Sequence, residues 1–245
     1  MPVTTNAGGL SGRDFYRQAV AYGWKQRDSL ALLADSMGNV PDFFYRFLPV
    51  QSSYTDTLGA EHSAIFYVSP DYFSVGENKD WARVPLTPLA GQVLADRHEC
   101  FLPTRKMVNL VYEQAQLTLE PMPMYAYRDS TITMFHHHLM VEGQRKGRKG
   151  LIAGIKKDVV ICTEEVMKGR THRVAIYGWH KLDGKAIQPL YTGHVDWYAD
   201  YSHGIRLVYR KIKVDGRWMD YTELFGNPLL SPLLSDENGK QLLRY

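Results

Sequence analysis

Asp158-Val159-Val160-Ile161-Cys162, Arg173-Val174-Ala175-Ile176-Tyr177-Gly178 and Ile205-Arg206-Leu207-Val208-Tyr209 decide the fold class of this chain. Each run is rich in β-branched and aromatic residues and shorter than an ordinary helix, so each reads as a strand. Asp215-Gly216, just beyond the third, is a hairpin signal. Earlier in the chain, His62-Ser63-Ala64-Ile65-Phe66-Tyr67-Val68 has the same character, stops at Ser69-Pro70, and is expected near the middle of a sheet.

Around these strands the apolar spacing is helical. Phe15, Ala19 and Tyr22, then Leu30, Leu33, Ala34 and Met37, predict two short helices, with Ser11 and Asp28 placed as N-caps. Thr87-Pro88 and Pro103-Thr104 open two more, and another is predicted from Met134 to Glu142. The aromatic run Phe43 to Leu48 should pack on the main body, and the tail from Asn227 to Tyr245 should wrap the surface. Helices first and strands later predict an α+β or mixed α/β fold. A helical N-terminal half, about 11–148, would pack on a β-rich C-terminal half, about 150–225. No Pro/Ser/Gly-rich linker divides the chain, so residues 1–245 are read as a single domain.

Of the 245 residues 44% are hydrophobic and 22% charged, the balance of a chain that buries a proper core. The 29 basic and 26 acidic residues leave +3, too balanced to advertise a nucleic-acid partner. Gln144-Arg145-Lys146-Gly147-Arg148-Lys149 is locally basic, and reads as a solvated loop or as a patch for an acidic polymer. Two cysteines, Cys100 and Cys162, allow one disulfide at most. No apolar run is long enough for a membrane span, and Met1 to Asn6 lacks the charged and apolar regions of a leader. Phosphate loops, dinucleotide fingerprints and Gly-x-Ser-x-Gly elbows are missing, so nucleotide-driven and lipase-type chemistry are not expected.

The densest set of reactive side chains runs from Tyr177-Gly178-Trp179-His180 to His194-Val195-Asp196-Trp197-Tyr198-Ala199-Asp200-Tyr201-Ser202-His203-Gly204-Ile205-Arg206. It holds bases that titrate near neutrality, a carboxylate to orient them, a hydroxyl, and a cation for developing negative charge. Two elements of it resemble the YkuD-like L,D-transpeptidases, which cross-link peptidoglycan. Ala175-Ile176-Tyr177-Gly178-Trp179-His180 is similar to their strand ending in His-Gly, and Ser202-His203-Gly204-Ile205-Arg206-Leu207 to their Ser-His-Gly-Cys-hydrophobic-Arg-Leu. Where that family carries its nucleophilic cysteine, after Gly204, this chain has Ile205. An isoleucine forms no thioester, so the family's transpeptidation is excluded.

The expected function is therefore a hydrolase acting on a glycan or peptidoglycan-like polymer by His/Asp acid–base catalysis. Its catalytic candidates are His180, His194, Asp200, Ser202, His203, Arg206 and Lys157, with Ser202 or a water as nucleophile. Substrate contacts are expected from Trp179, Gln188, Tyr191, Asp196, Trp197, Tyr198 and Tyr201, because flat rings beside amides and carboxylates suit sugars. Asp196 and Asp200 together would also suit paired-carboxylate chemistry. Arg105 and Lys106 join the binding set because positive charge in the first turn opposes the helix dipole and calls for an anion. Two alternatives stand beside this one: a non-catalytic glycan- or protein-binding module, and a metal-dependent hydrolase using His180, His194 and His203. No cofactor is expected; a glycan or cell-wall polymer is the expected partner, and a secreted or periplasmic home goes with it.

Overall fold

Ser11 accepts a hydrogen bond from the Asp14 amide and so starts α1 (Gly12–Ala19), the first element of the computed structural model, which describes residues 9–245. The Met1 to Asn6 stretch read above lies outside the described residues. α2 (Trp24–Ser36) begins at Gly23 rather than at Asp28. Asp28 is buried inside the helix and accepts from the Thr87 hydroxyl at 2.5 Å, so it ties α2 to α3 (Pro88–Arg97) instead of capping. A 3-10 turn at Asp42–Tyr45 buries Phe44 and leads into β1 (Leu48–Thr55) and β2 (Glu61–Val68).

β3 (Ser74–Gly76) and β4 (Trp81–Arg83) form a small hairpin. Then come β5 (Cys100–Phe101), α4 (Arg105–Gln114) capped by Thr104, β6 (Leu117–Thr118) and α5 (Thr131–Arg145) capped by Ser130. The remaining elements are β7 (Ile152–Ala153), β8 (Lys157–Val160), α6 (Glu164–Met167), β9 (Ala175–His180), β10 (Ala186–Tyr191) and β11 (His203–Gly204). β12 (Val208–Tyr209), the hairpin β13 (Lys211–Val214) and β14 (Arg217–Asp220), and α7 (Tyr221–Gly226) complete the order.

With 31% helix and 25% strand, the strands largely antiparallel and divided among several sheets, the fold is mixed α+β. Strands are not confined to the second half. β2 pairs with β1 along its whole length and with β12 and β13 from the far end of the chain, in a six-stranded sheet. The expected division into a helical and a β-rich half is thereby replaced by a sheet that both halves build, because β2 needs partners on both edges to satisfy its backbone. A second sheet runs β10-β9-β8-β11, with β8 and β11 parallel. One apolar core reaches from Phe15 to Leu234 and includes Leu230, Leu233 and Leu234 of the tail. The tail is therefore partly a core element, where burial of leucine outweighs chain wrapping. Cys100 and Cys162 are buried and unpaired. Among the described residues no helix is long and apolar enough to cross a membrane.

Candidate functional site

β8 and β11 place the central groups. His203 and Lys157 are register partners on these parallel neighbours, so their side chains leave one face, while Asp158 and Gly204 take the other. On the second face Tyr72 lies so close to Gly204 that a Cβ there would meet the ring at 2.3 Å. The glycine of the Ser-His-Gly element is thus a packing requirement. Tyr72 donates to Asp158 at 2.8 Å, and burial pushes the Asp158 carboxyl up to about 6 against the pull of Arg206.

On the first face, Asp200 is the anchor. It accepts from the Ser202 amide at 2.8 Å, the Ser202 hydroxyl at 2.5 Å, Arg128 at 2.9 Å and the Tyr198 hydroxyl at 3.3 Å. Burial alone would raise its pKa, but the field of His203, which is protonated below about 4, the Ser202 bonds and Arg128 hold it down to about 2. His203 is 0% exposed, its Nε2 is 4.0 Å from Asp200 Oδ1, and neither ring nitrogen has a hydrogen-bond partner. Burial pulls its pKa down to about 4 in spite of Asp200, so it is a neutral imidazole at pH 7. His194, half-buried, lies 6.2 Å from the His203 ring and 4.8 Å from Tyr198, and Tyr191 meets its edge at 5.2 Å. Burial lowers the His194 pKa as well. The Lys157 ammonium sits 5.2 Å above the Trp179 ring.

Several expected members are elsewhere. Gly178 and Trp179 both have positive φ, 106° and 58°, and this reversal in β9 breaks the two-residue alternation. Trp179 reaches Lys157, while His180 turns to Asn109, bonding its Oδ1 at 3.0 Å and stacking on Tyr112. Trp179 adopts a conformation costly for a bulky side chain, a strain that proteins commonly hold at working sites. Arg206 is buried, bonded to the carbonyls of Ser69 and Ile152 at 2.6 and 2.7 Å, and lies over the Tyr72 ring; its charge serves the interior. Ser202 is fully buried and its hydroxyl is committed to Asp200, which leaves it out of position as a nucleophile. Tyr201 is buried, and its hydroxyl accepts from the Met124 amide.

Asp196 pairs with His172 at 3.3 Å, and Trp197 lies beside the same histidine. The two aspartates thus have separate partners. Gln188 on β10 donates to the Pro189 carbonyl. Arg105 pairs with Asp236 at 2.9 Å and Lys106 donates to the Pro232 carbonyl at 2.5 Å, so the tail supplies the negative charge that the first turn of α4 called for. Among the described residues no three His, Cys, Asp or Glu side chains are gathered to hold a metal ion, and His180, His194 and His203 do not form a ligand set.

One contributor was not read from the sequence. Arg128 comes from the segment between β6 and α5, a Pro- and Tyr-rich stretch whose ends are tied to the site by Met124 and Arg128 through Tyr201. Between those ties Tyr125 and Tyr127 are 89% and 82% exposed. The combination of two prolines, two tyrosines and an arginine was the available signal. Lys156, next to Lys157 at the start of β8, is buried and donates to the Tyr201 carbonyl and lies 3.2 Å from His137 Nδ1. Burial brings its pKa down to about 7.

The assembled group is His194, His203, Tyr198, Asp200, Lys157 and Arg128: imidazoles that are neutral at pH 7, an ionised carboxylate behind them, a phenol and two cations. No family model, no curated protein and no solved structure matches the chain.

Proposed function

We propose that this protein is a hydrolase acting on a glycan or peptidoglycan-like polymer, with His194 and His203 as its acid–base pair. The observation that carries the reading is His203: a fully buried imidazole with both nitrogens unbonded, next to an ionised Asp200. A buried polar group without a partner calls for an explanation, and a proton-transfer role is one. His194 is the member that meets solvent. A neutral imidazole there takes a proton from the attacking water, and Lys157 and Arg128 offset the negative charge that develops. Asp200 holds Arg128 and favours the imidazolium once it forms. A secreted or periplasmic home and a cell-wall substrate belong to this reading. The test is turnover of a panel of polysaccharides and peptidoglycan by wild type, His194→Ala and His203→Gln, with folding followed by circular dichroism. Loss of at least about a hundredfold in the folded variants is expected; a folded His203→Gln protein with full turnover rejects the proposal.

A second reading, a binding module without catalysis, draws on the exposed rings of Tyr125, Tyr127, Tyr191 and Trp197. It expects Trp197→Ala to weaken polymer binding while His203→Gln leaves it unchanged.

A further inference from the structure

We infer that the cavity between the 3-10 turn, the β3–β4 hairpin and the end of α5 is a binding site for a small monocarboxylate that carries an apolar body. None of the His203 group lines this cavity, so the site stands whatever that group does. The cavity measures about 450 Å³, the size of a small-molecule site. Phe43, Leu48, Pro70 and Trp81 give it apolar walls, and Arg46, Arg145 and Lys149 bring three cations to it.

Two of these cations belong to the basic run Gln144 to Lys149, which the structure divides by role. Arg148 folds back onto the end of α5 and donates to the carbonyls of Arg145 and Gln144 at 3.0 and 2.8 Å, so its charge caps the helix. Arg145 is the fixed group of the wall. Its side chain is 12% exposed, and its guanidinium carbon lies 5.7 Å from the Phe43 ring and 5.2 Å from the Trp81 ring. Its Nε donates to the Arg148 carbonyl at 2.7 Å and its Nη1 meets Glu142 at 3.4 Å. Nη2 has no acceptor among the described residues and is not buried, which leaves a rigidly held N–H donor for a guest. Charge then sets the guest's valence. Arg83 and Arg145 are balanced by Asp71 and Glu142, with which they pair. Arg46 and Lys149 are exposed and pair with no carboxylate among the described residues, and Asp42, held by Asn78, is the remaining acid of the lining. One net positive charge is left, which matches a carboxylate; a phosphate monoester would bring about two negative charges. A carboxylate accepts a charge-assisted bond from Arg145 while its apolar body packs on Phe43 and Trp81.

The experiment is calorimetric titration of the full chain with phenylacetate and with octanoate, each beside its neutral amide and beside phenyl phosphate or octyl phosphate. Wild type should bind one of the two acids at least about tenfold more tightly than its amide, and the acid that binds shows whether the body is a ring or an alkyl chain. The matching phosphate should bind more weakly than that acid. Arg145→Met should abolish the preference, and Lys149→Gln, a change at an exposed position, should reduce it about threefold. In nitrogen–proton correlation spectra the amides of Gly147 and Gly150, which line the cavity, should shift with the same affinity. Equal binding of acid and amide in both series, binding of neither acid at millimolar concentration, tighter binding of the phosphate, shifts confined to residues outside the cavity, or a preference unchanged in Lys149→Gln overturns the inference. Lys149→Gln and the amide shifts decide the matter if Arg145→Met does not fold.

Discussion

Asp200→Asn isolates the charge that organises the candidate site. Asparagine keeps an acceptor oxygen for Ser202, so the variant removes ionisation and leaves shape nearly intact. The Asp200 carboxyl is held at about 2 against an ordinary 3.8, because His203, Ser202 and Arg128 outweigh the cost of its burial. That gap sets an upper bound of about 2.4 kcal/mol on the stability it contributes at pH 7, where His203 is neutral. Folding lowers this pKa, so the contribution is complete above 3.8 and disappears as pH falls through about 2; by the same relation about 1.3 kcal/mol remains at pH 3. Asp200→Asn should therefore lose at most about 2 kcal/mol at pH 7, a fall of up to roughly 4–8 °C in thermal midpoint for a chain of this size. Urea unfolding of both proteins at pH 7 measures this, and NMR titration of the Asp200 carboxyl reads the pKa directly. An unchanged stability of Asp200→Asn at pH 7, or an Asp200 carboxyl titrating at its ordinary value, would refute the reasoning.

Two further outcomes follow from the packing of the same region. Gly204→Ala puts a Cβ 2.3 Å from the ring of Tyr72, which its bond to Asp158 holds in place; a loss of about 1–3 kcal/mol is expected in urea unfolding, and an unchanged midpoint would mean that the ring moves aside freely. Burial pulls the pKa of His203 and of His180 down to about 4 from an ordinary 6.5. Folding lowers both values, so their contribution is complete above 6.5 and is lost as pH falls toward 4, about 3 kcal/mol for the fully buried His203. A stability profile between pH 7 and 4 should fall accordingly, and His203→Gln should flatten it; the same slope in the variant would contradict the burial argument.

Local chemistry was legible in the sequence because it acts over a few residues. Ser11, Thr87 and Thr104 cap the helices they precede, the His62–Val68 run lies inside a sheet, and Asp215-Gly216 turns a hairpin. His194, Tyr198, Asp200 and His203 fall within ten positions of one another, so the candidate cluster was visible in one stretch of chain.

Which of its neighbours joined them was decided by the tertiary structure. Arg128 reaches Asp200 across 72 positions, and Lys157 lies beside His203 only through the parallel pairing of β8 with β11, long-range contacts that spacing does not encode. His180 left the cluster because the left-handed pair Gly178–Trp179 reversed its face, and Arg206 because two main-chain carbonyls and Asp158 met its charge in the interior. Residue type and spacing determined which chemistry the chain carries. Strand register, and the need to compensate each buried charge, decided which of those groups face one another.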